Sequence, residues 1–417
     1  MPTTSGTEIE PLKRRDAGSQ RHVRRLRRRA AILCLAVAMF LGIVEGGARV
    51  TFAHKDQLKS QLPIPMSMLH EYQERDPRKP ANWILKAGFV ETFGDLQART
   101  RTGQAVDEAH LLTGTVATGT RPTDVFIRVN KDGFRGPELD ASHSRPRVIA
   151  IGDSTTFGTI ESHTYPHVLE RELRKRGLDV EVINAGVEGY SPQNVLYRLD
   201  RFKQLRPDVV TVYIGWTPLF ADTRQSAMNR SWARVDTLRL ASIGFNLALQ
   251  AVHRSQAPVK LEAAPKHADP NAPEVRRLND FVPEFMPEVE SIVREMRAAG
   301  TKVVLVTLPG LYTSDAPISE KALKIGHLPA FTDNPYVFAK MTEGYNAALR
   351  RLAEREDVQV IDLESWSRSA LAPRDRYFAD TVHLHEDGQE LLGAYLAEQL
   401  APTLAGTSKL TAKVEHQ

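Results

Sequence analysis

Residues 148–158 read Val-Ile-Ala-Ile-Gly-Asp-Ser-Thr-Thr-Phe-Gly, and this stretch decides how the rest of the chain is interpreted. The apolar run at its start predicts a buried strand. Gly152 and Gly158 flank the polar residues that follow, which indicates a tight turn where the strand ends. The pattern therefore predicts a serine, Ser154, presented at the carboxyl end of a buried strand.

Further short runs of apolar and β-branched residues follow, and stretches with a helical pattern separate them. The predicted strands cover 147–151, 180–183, 209–214, 303–307 and 358–361. The predicted helices cover 165–176, 193–205, 281–299, 339–355 and 386–400. Apolar strands that alternate with helices are typical of a parallel sheet covered on both faces. The sequence therefore predicts an α/β fold, a three-layer sandwich around a central, mostly parallel five-stranded sheet.

Two polar residues far along the chain are candidate partners of Ser154. A serine hydroxyl is a weak nucleophile unless a base takes its proton during the attack. His383 is the candidate base, and Asp380 is the candidate group that fixes the tautomer or position of His383. Taken alone, Gly-Asp-Ser is a common tripeptide and His383 is an ordinary surface histidine. Only the fold can bring the three side chains together.

Four sequence blocks follow one another along the chain: the Gly-Asp-Ser turn, Asn-Ala-Gly-Val-Glu-Gly at 184–189, Tyr-Ile-Gly at 213–215, and Asp-Thr-Val-His-Leu at 380–384. In this order they resemble the SGNH (GDSL) hydrolases, over residues 145–400. The segment 129–138, Val-Asn-Lys-Asp-Gly-Phe-Arg-Gly-Pro-Glu, is similar to one in membrane-anchored bacterial members. The resemblance implies the flavodoxin-like SGNH fold and acyl-serine chemistry that needs no cofactor.

By this resemblance Ser154 is the nucleophile and its N–H is the first oxyanion donor, while Gly189 supplies the second N–H. The family's third donor is an Asn in a Gly-x-Asn-Asp block, and here Thr217 stands in its place. Loss of one oxyanion donor costs a hydrolase on the order of 10²–10³ in turnover. Either Thr217 or a side chain of the following insertion, such as Asn229, replaces the donor, or the site is weakened. Trp216 lines an acyl or sugar pocket or, alternatively, belongs to the core.

The polar run 383–387, His-Leu-His-Glu-Asp, is the other candidate site. Its alternate residues diverge near a helix start, and it lacks both Cys partners and a His pair at i, i+4. We therefore expect no metal. Glu386 or Asp387 is instead expected in the first turn of the last helix, where negative charge is favourable.

The basic charge is concentrated at the N-terminus. Residues 1–29 contain nine Lys and Arg and three acidic residues, a net charge of +6. This exceeds the net charge of the whole chain, which is +4. The remaining body is slightly acidic, so no nucleic-acid partner is expected. Residues 30–44 form an unbroken apolar run, and 30–52 is long enough for a membrane-spanning signal anchor. A cleaved signal peptide is the alternative, because 46–48 reads Gly-Gly-Ala.

The predicted organisation is a basic cytoplasmic tail over 1–29, a transmembrane anchor over 30–52, a connector and N-terminal cover over 53–145, an SGNH hydrolase domain over 146–405 with a cap-like insertion at 217–274, and a tail over 406–417. The charge asymmetry places the body outside the inner membrane, in the periplasm, with a cytoplasmic N-terminus.

The predicted function is a serine esterase that removes O-acyl groups from an envelope glycan or a lipid-linked substrate. An O-acyltransferase with the same triad is one alternative. A weakened SGNH domain that acts as a binding protein is another, and the missing Asn is its argument. No protein partner is identified.

Overall fold

The computed structural model describes residues 25–43 except 38 and 41, and residues 69–79, 82–101, 121–221 and 262–414. The chain divides into two units, Met1–Lys59 with Arg230–Pro258, and Ser60–Asn229 with Val259–Gln417. In the first unit, residues 25–37 are helical and their side chains are exposed. Among the residues described, no helix is both long and apolar enough to cross a membrane. The predicted anchor over 30–52 lies partly outside the described residues.

The strands of the second unit are β1 Gln73–Arg75, β2 Trp83–Leu85, β3 Val90–Thr92, β4 Val125–Arg128, β5 Arg147–Gly152, β6 Glu181–Gly186, β7 Val209–Tyr213, β8 Glu262–Ala263, β9 Lys302–Val306, β10 Leu328–Pro329 and β11 Gln359–Ile361. Its helices are α1 Phe93–Arg101, α2 Ser154–Phe157, α3 Tyr165–Lys175, α4 Pro192–Leu196, α5 Leu199–Gln204, α6 Trp216–Ala221, α7 Pro273–Arg276, α8 Met286–Ala298, α9 Glu320–Ile325, α10 Pro335–Glu356, α11 Leu363–Ala370, α12 Arg374–Tyr377 and α13 Glu386–Val414.

A five-stranded parallel sheet forms the centre of this unit, in the order β11-β9-β7-β5-β6. Every residue of β5 and β7 is buried, as expected for strands covered on both faces. The chain enters this sheet at β5 and continues to β6, which lies at one edge. It then crosses back to β7, which pairs with β5 on the side opposite β6. The carboxyl ends of these three strands therefore meet at the point where the strand order reverses, where such sheets bind ligands. The predicted α/β fold with a five-stranded parallel sheet is confirmed.

Helices cover both faces of the sheet. On one face α13 packs along α3, and on the other α8 packs against α4, α5 and α10. Gly393 lets α13 approach α3 closely, because a Cβ at this position would lie 2.6 Å from the Cβ of Val168. Glu386 and Asp387 lie in the first turn of α13, as predicted, and this helix continues past residue 400 to Val414.

Besides the end of the last helix, predicted at residue 400, three other predicted helix boundaries are wrong. The predicted helix 193–205 is split into α4 and α5, because the N–H of Arg198 bonds to the carbonyl of Val195 and tightens the turn. The predicted helix 281–299 begins only at Met286. The predicted helix 339–355 begins four residues earlier, at Pro335, because the side chain of Asn334 caps the N–H of Tyr336.

The segments before β5 form two antiparallel pairs, β1 with β2 and β3 with β4. Arg135, from the segment 129–138, joins them to the main domain. Its buried guanidinium donates to the carbonyls of Phe126 and Gly158, both at 2.8 Å, and lies over the ring of Phe157. The part of the cover that the structure describes is thus bonded directly to the turn that follows Ser154.

Candidate active site

The turn that carries Ser154 is built by its neighbours. A Cβ on Gly152 would lie 1.9 Å from the hydroxyl oxygen of Thr156, so only glycine fits at the strand end. The fully buried Asp153 caps α2 by accepting from the N–H of Thr155 at 3.1 Å, and it also accepts from the N–H of Trp216 at 3.3 Å. Ser154 is therefore the first residue of α2 and is only partly buried.

His383 and Asp380 lie beside this serine. The Nε2 atom of His383 is 2.8 Å from the hydroxyl oxygen of Ser154. Its Nδ1 atom is 2.6 Å from Oδ2 of Asp380. The other carboxylate oxygen of Asp380 accepts from the N–H groups of Val382 and His383, both at 2.8 Å. The three side chains selected from the sequence thus form one continuous chain of hydrogen bonds.

The loop of Asp380 and His383 is held at both ends. The N–H of Ala379 donates to the carbonyl of His383 at 2.8 Å, which closes the loop on itself. The loop then leads into α13, whose Gln389 accepts from the N–H of Tyr165 at 3.0 Å. Because Tyr165 begins α3, this bond connects the helix that follows His383 to the helix that follows the serine turn.

The electrostatics of the pair match those of a base and its orienting carboxylate. Burial raises the pKa of Asp380, but the charge of His383 and its hydrogen bonds outweigh burial and hold the pKa below its ordinary value. Burial lowers the pKa of His383, but Asp380 outweighs it and the net pKa is raised. The Asp380 side chain is 4% exposed and that of His383 is 24% exposed, so the imidazole faces the open side of the site.

Backbone donors lie at the ends of β5 and β6. In the described part of the chain, the N–H groups of Ser154 and Gly189 donate to no protein acceptor. Gly189 has a φ of +75°, which favours glycine. The loop of Gly189 is bound to the serine turn, since the N–H of Val187 donates to the carbonyl of Gly152 at 3.3 Å. Thr217 is the second residue of α6 and is partly exposed.

Comparisons with known proteins bear on this geometry. The sequence model of the GDSL-like lipase/acylhydrolase family matches residues 150–391, more than half of the chain. The chain belongs to this family. The resemblance seen in the four blocks is thereby confirmed at the level of the family. No curated protein matches the sequence.

The chain is also similar to several solved structures. An acetyl xylan esterase, AlAXEase, is 15% identical, with 62% of this chain and 98% of that chain covered and a TM-score of 0.38. The lipase/acylhydrolase from Enterococcus faecalis is 18% identical, with 62% and 96% covered and a TM-score of 0.38.

Two other residues selected from the sequence have different outcomes. Trp216 is 2% exposed and stacks on Phe338 with ring centroids 6.0 Å apart, so it lies in the core, the second of its two alternatives. Asn229 lies outside the described residues. No group of three or more His, Cys, Asp or Glu in the described part of the chain is arranged to hold a metal ion.

The sequence did not indicate several residues of the cover that reach the Gly189 loop. The Tyr72 hydroxyl donates to the carboxylate of Glu188, which also lies 3.4 Å from His70. The indole N–H of Trp83 donates to the carbonyl of Glu188 at 3.1 Å. These cover residues lie before the part of the chain that matches the GDSL-like family. No sequence motif links these cover residues to the Gly189 loop. Of the residues in these contacts, only Glu188 belongs to one of the four sequence blocks.

Proposed function

We propose that this member of the GDSL-like family is a serine esterase that works through an acyl-serine intermediate. The hydrogen-bond chain from Ser154 through His383 to Asp380 is the observation that carries the proposal. It joins a hydroxyl, a base and a carboxylate in the arrangement that activates a serine. Its place at the carboxyl ends of parallel strands leaves the hydroxyl accessible to a ligand.

In the first half of the reaction, Ser154 Oγ attacks the carbonyl carbon of the ester while Nε2 of His383 takes the hydroxyl proton. The carbonyl oxygen becomes an oxyanion, which the N–H groups of Ser154 and Gly189 stabilise. Thr217 is the proposed third donor, through its hydroxyl. When the tetrahedral intermediate collapses, the bond to the alcohol oxygen breaks and His383 returns the proton to the departing alcohol.

In the second half, water attacks the acyl group on Ser154 and gives a proton to His383. The bond to Oγ breaks, the serine recovers its proton, and a carboxylic acid leaves. Asp380 stays ionised and stabilises the imidazolium formed in each half. If the hydroxyl of a sugar attacks in place of water, the same residues perform acyl transfer.

The proposed substrate class is an O-acylated glycan or a lipid-linked acyl compound of the cell envelope. Support comes from residues 25–43, where Arg27, Arg28 and Arg29 precede a helical, exposed apolar stretch. Its large apolar side chains are between 49% and 74% exposed, from Val37 to Ile43. A signal anchor at the inner membrane, with the esterase on the periplasmic side, brings the site to such substrates.

The test uses the full-length chain and a fluorophosphonate probe, with the adduct located by mass spectrometry. We expect labelling at Ser154, and its loss in Ser154→Ala and His383→Ala with little change in the melting temperature. His385→Ala is the matched control, since this histidine lies two residues away and outside the hydrogen-bond chain; it is expected to label normally. A folded wild-type protein that does not label would overturn the esterase and favour the binding protein.

Hydrolysis and transfer are then separated with one acyl donor. An activated acetyl ester is supplied with and without an oligosaccharide acceptor, and free acetate and acetylated sugar are measured. We expect acetate as the main product in both cases. Acetylated sugar as the main product would assign acyl transfer instead.

A further inference from the structure

Trp83 connects the N-terminal cover to the loop of the proposed oxyanion donor. Its indole Nε1 donates to the carbonyl oxygen of Glu188 at 3.1 Å. The Tyr190 hydroxyl donates to the carbonyl oxygen of Trp83, and the two rings meet edge to face with centroids 5.4 Å apart. Trp83 therefore contacts the residues on both sides of Gly189.

The hydrogen bond of Trp83 acts on the same peptide group that carries the oxyanion donor. The carbonyl of Glu188 and the N–H of Gly189 belong to one planar, trans peptide unit, so they point in opposite directions. Holding the carbonyl on the indole therefore fixes the direction of the N–H. A bond accepted by the carbonyl also polarises the amide and strengthens the donor.

Gly189 makes such a restraint necessary. Glycine populates positive and negative φ about equally, so a peptide beside it can rotate more easily than one beside other residues. The indole of Trp83 packs next to Gly189, since a Cβ on Gly189 would lie 3.2 Å from Cζ2 of the indole. The side chain of Glu188 is held separately by the hydroxyl of Tyr72. Trp83 itself is fixed in β2, opposite Arg75 of β1.

We propose that Trp83 is a positioning residue of the oxyanion hole, which orients the Gly189 N–H through the carbonyl of Glu188. The proposal rests on the proposed function, because the direction of this N–H affects turnover only when an oxyanion forms at Ser154. It assigns a part of the active site to the cover, which precedes the family's matched residues 150–391.

Two substitutions distinguish the effect of the indole N–H of Trp83 from the effect of the size of its ring. Trp83→Phe keeps an aromatic ring and removes the donor. Trp83→His keeps a ring N–H at the same number of bonds from the backbone. Trp366→Phe is the matched control, because Trp366 lies on α11, stacked on Tyr395. Replacing Trp83 with 3-benzothienylalanine, in which sulfur takes the place of the N–H, serves if Trp83→Phe does not fold.

The full-length variants are assayed with p-nitrophenyl acetate and with the fluorophosphonate probe. Complete loss of an oxyanion donor costs about 10²–10³ in turnover, so misorienting one is expected to lower kcat by about 10-fold or more. The probe's labelling rate is expected to fall in parallel, with KM nearly unchanged, because the oxyanion exists only in the transition state. Trp83→His is expected to recover part of the loss, and Trp366→Phe to lose nothing.

Three results would overturn the proposal while leaving the esterase intact. The first is a Trp83→Phe enzyme with wild-type kcat and labelling rate. The second is a rise in KM at constant kcat, which would make Trp83 a substrate contact. The third is an equal loss in Trp83→Phe and Trp83→His, which would mean that only bulk matters. Failure of the esterase is a different result, since the wild type itself would then not label.

Discussion

At His383, burial and charge move the pKa in opposite directions, and the carboxylate of Asp380 prevails, so the pKa is raised. Catalysis needs the neutral imidazole, since only this form can take the proton of Ser154. The fraction of active enzyme therefore falls as pH drops through the raised pKa. We predict that kcat/KM rises with pH through an inflection above about 6.5, the ordinary value for histidine.

Replacing Asp380 tests the cause of this shift. Asp380→Asn removes the negative charge, so the inflection is expected to move to lower pH. It also disturbs the tautomer of His383, and kcat is expected to fall by about 10³–10⁴. The pH dependence of kcat/KM for both proteins measures the two effects together. An inflection that stays in place in Asp380→Asn would contradict the electrostatic explanation.

Thr217 offers a second prediction for a single residue. If its hydroxyl is the third oxyanion donor, Thr217→Val, which keeps the shape and removes the donor, is expected to lower kcat by about 10². Thr217→Asn restores the side chain of the family pattern, and we expect kcat to rise. Labelling rates with the fluorophosphonate probe provide the measurement. A Thr217→Asn enzyme that is unchanged or slower would show that the missing Asn does not limit turnover.

The sequence was informative for residues whose roles need particular chemistry in a particular order. The types of Ser154, Asp380 and His383 and their positions next to a strand or a helix predict their roles, and the structure brings them into contact. Trp83 could not be found in this way. Its contact with Glu188 joins residues 105 positions apart, and an indole in a short strand carries no local sign of such a partner.

At the scale of the elements, the packing of α13 on α3 connects the helix after His383 to the helix after the serine turn. Gly393→Ala places a methyl group 2.6 Å from the Cβ of Val168 and 2.9 Å from the carbonyl oxygen of Tyr165. Overpacking of this kind costs about 1–3 kcal/mol. Because α13 follows His383 directly, we predict that Gly393→Ala lowers both the free energy of unfolding and kcat.

Gly406 provides the matched control in the same helix. A Cβ there has no atom within 4 Å, so Gly406→Ala meets no obstacle. Alanine favours helix over glycine by about 1 kcal/mol, and this variant is expected to be equally or more stable, with unchanged kcat. Urea unfolding and turnover with p-nitrophenyl acetate distinguish the two. Equal stability of both variants would show that the helices can separate without cost.

The alternation of apolar strands and helices predicted the sheet well, because each buried strand shows its own pattern. The boundaries of helices were harder to predict. Amphipathic spacing runs from α4 through α5 without a break, and only the tightened turn at Arg198 divides them. The start of α10 at Pro335 depends on the cap supplied by Asn334. Such local hydrogen bonds decide boundaries but leave the hydrophobic period unchanged.

For the whole molecule, the family blocks and the cover provide different parts of one site. The blocks supply the proposed reacting groups, with Ser154 at the strand end where the order of the sheet reverses and His383 on the loop before α13. The cover contributes Arg135 to the turn after Ser154 and Trp83 to the loop of Gly189. If the proposed function holds, substitutions in the cover at Trp83 are expected to affect activity as well as stability.

The proposed anchor gives the last prediction. Arg27, Arg28 and Arg29 precede the apolar run 30–44, which favours a cytoplasmic N-terminus and an uncleaved anchor. We predict that the full-length chain sediments with membranes and resists extraction by high salt and by alkaline carbonate. Mass spectrometry is expected to show its original N-terminus.

Leu35→Arg is expected to weaken this retention, because a charge at the centre of a spanning segment costs about 2.5–3.5 kcal/mol. Leu26→Arg, which lies outside the apolar run, is the control. A mature chain that begins near Arg49 and washes off with salt would instead assign a cleaved signal peptide, and the esterase would then reach its substrate without a tether.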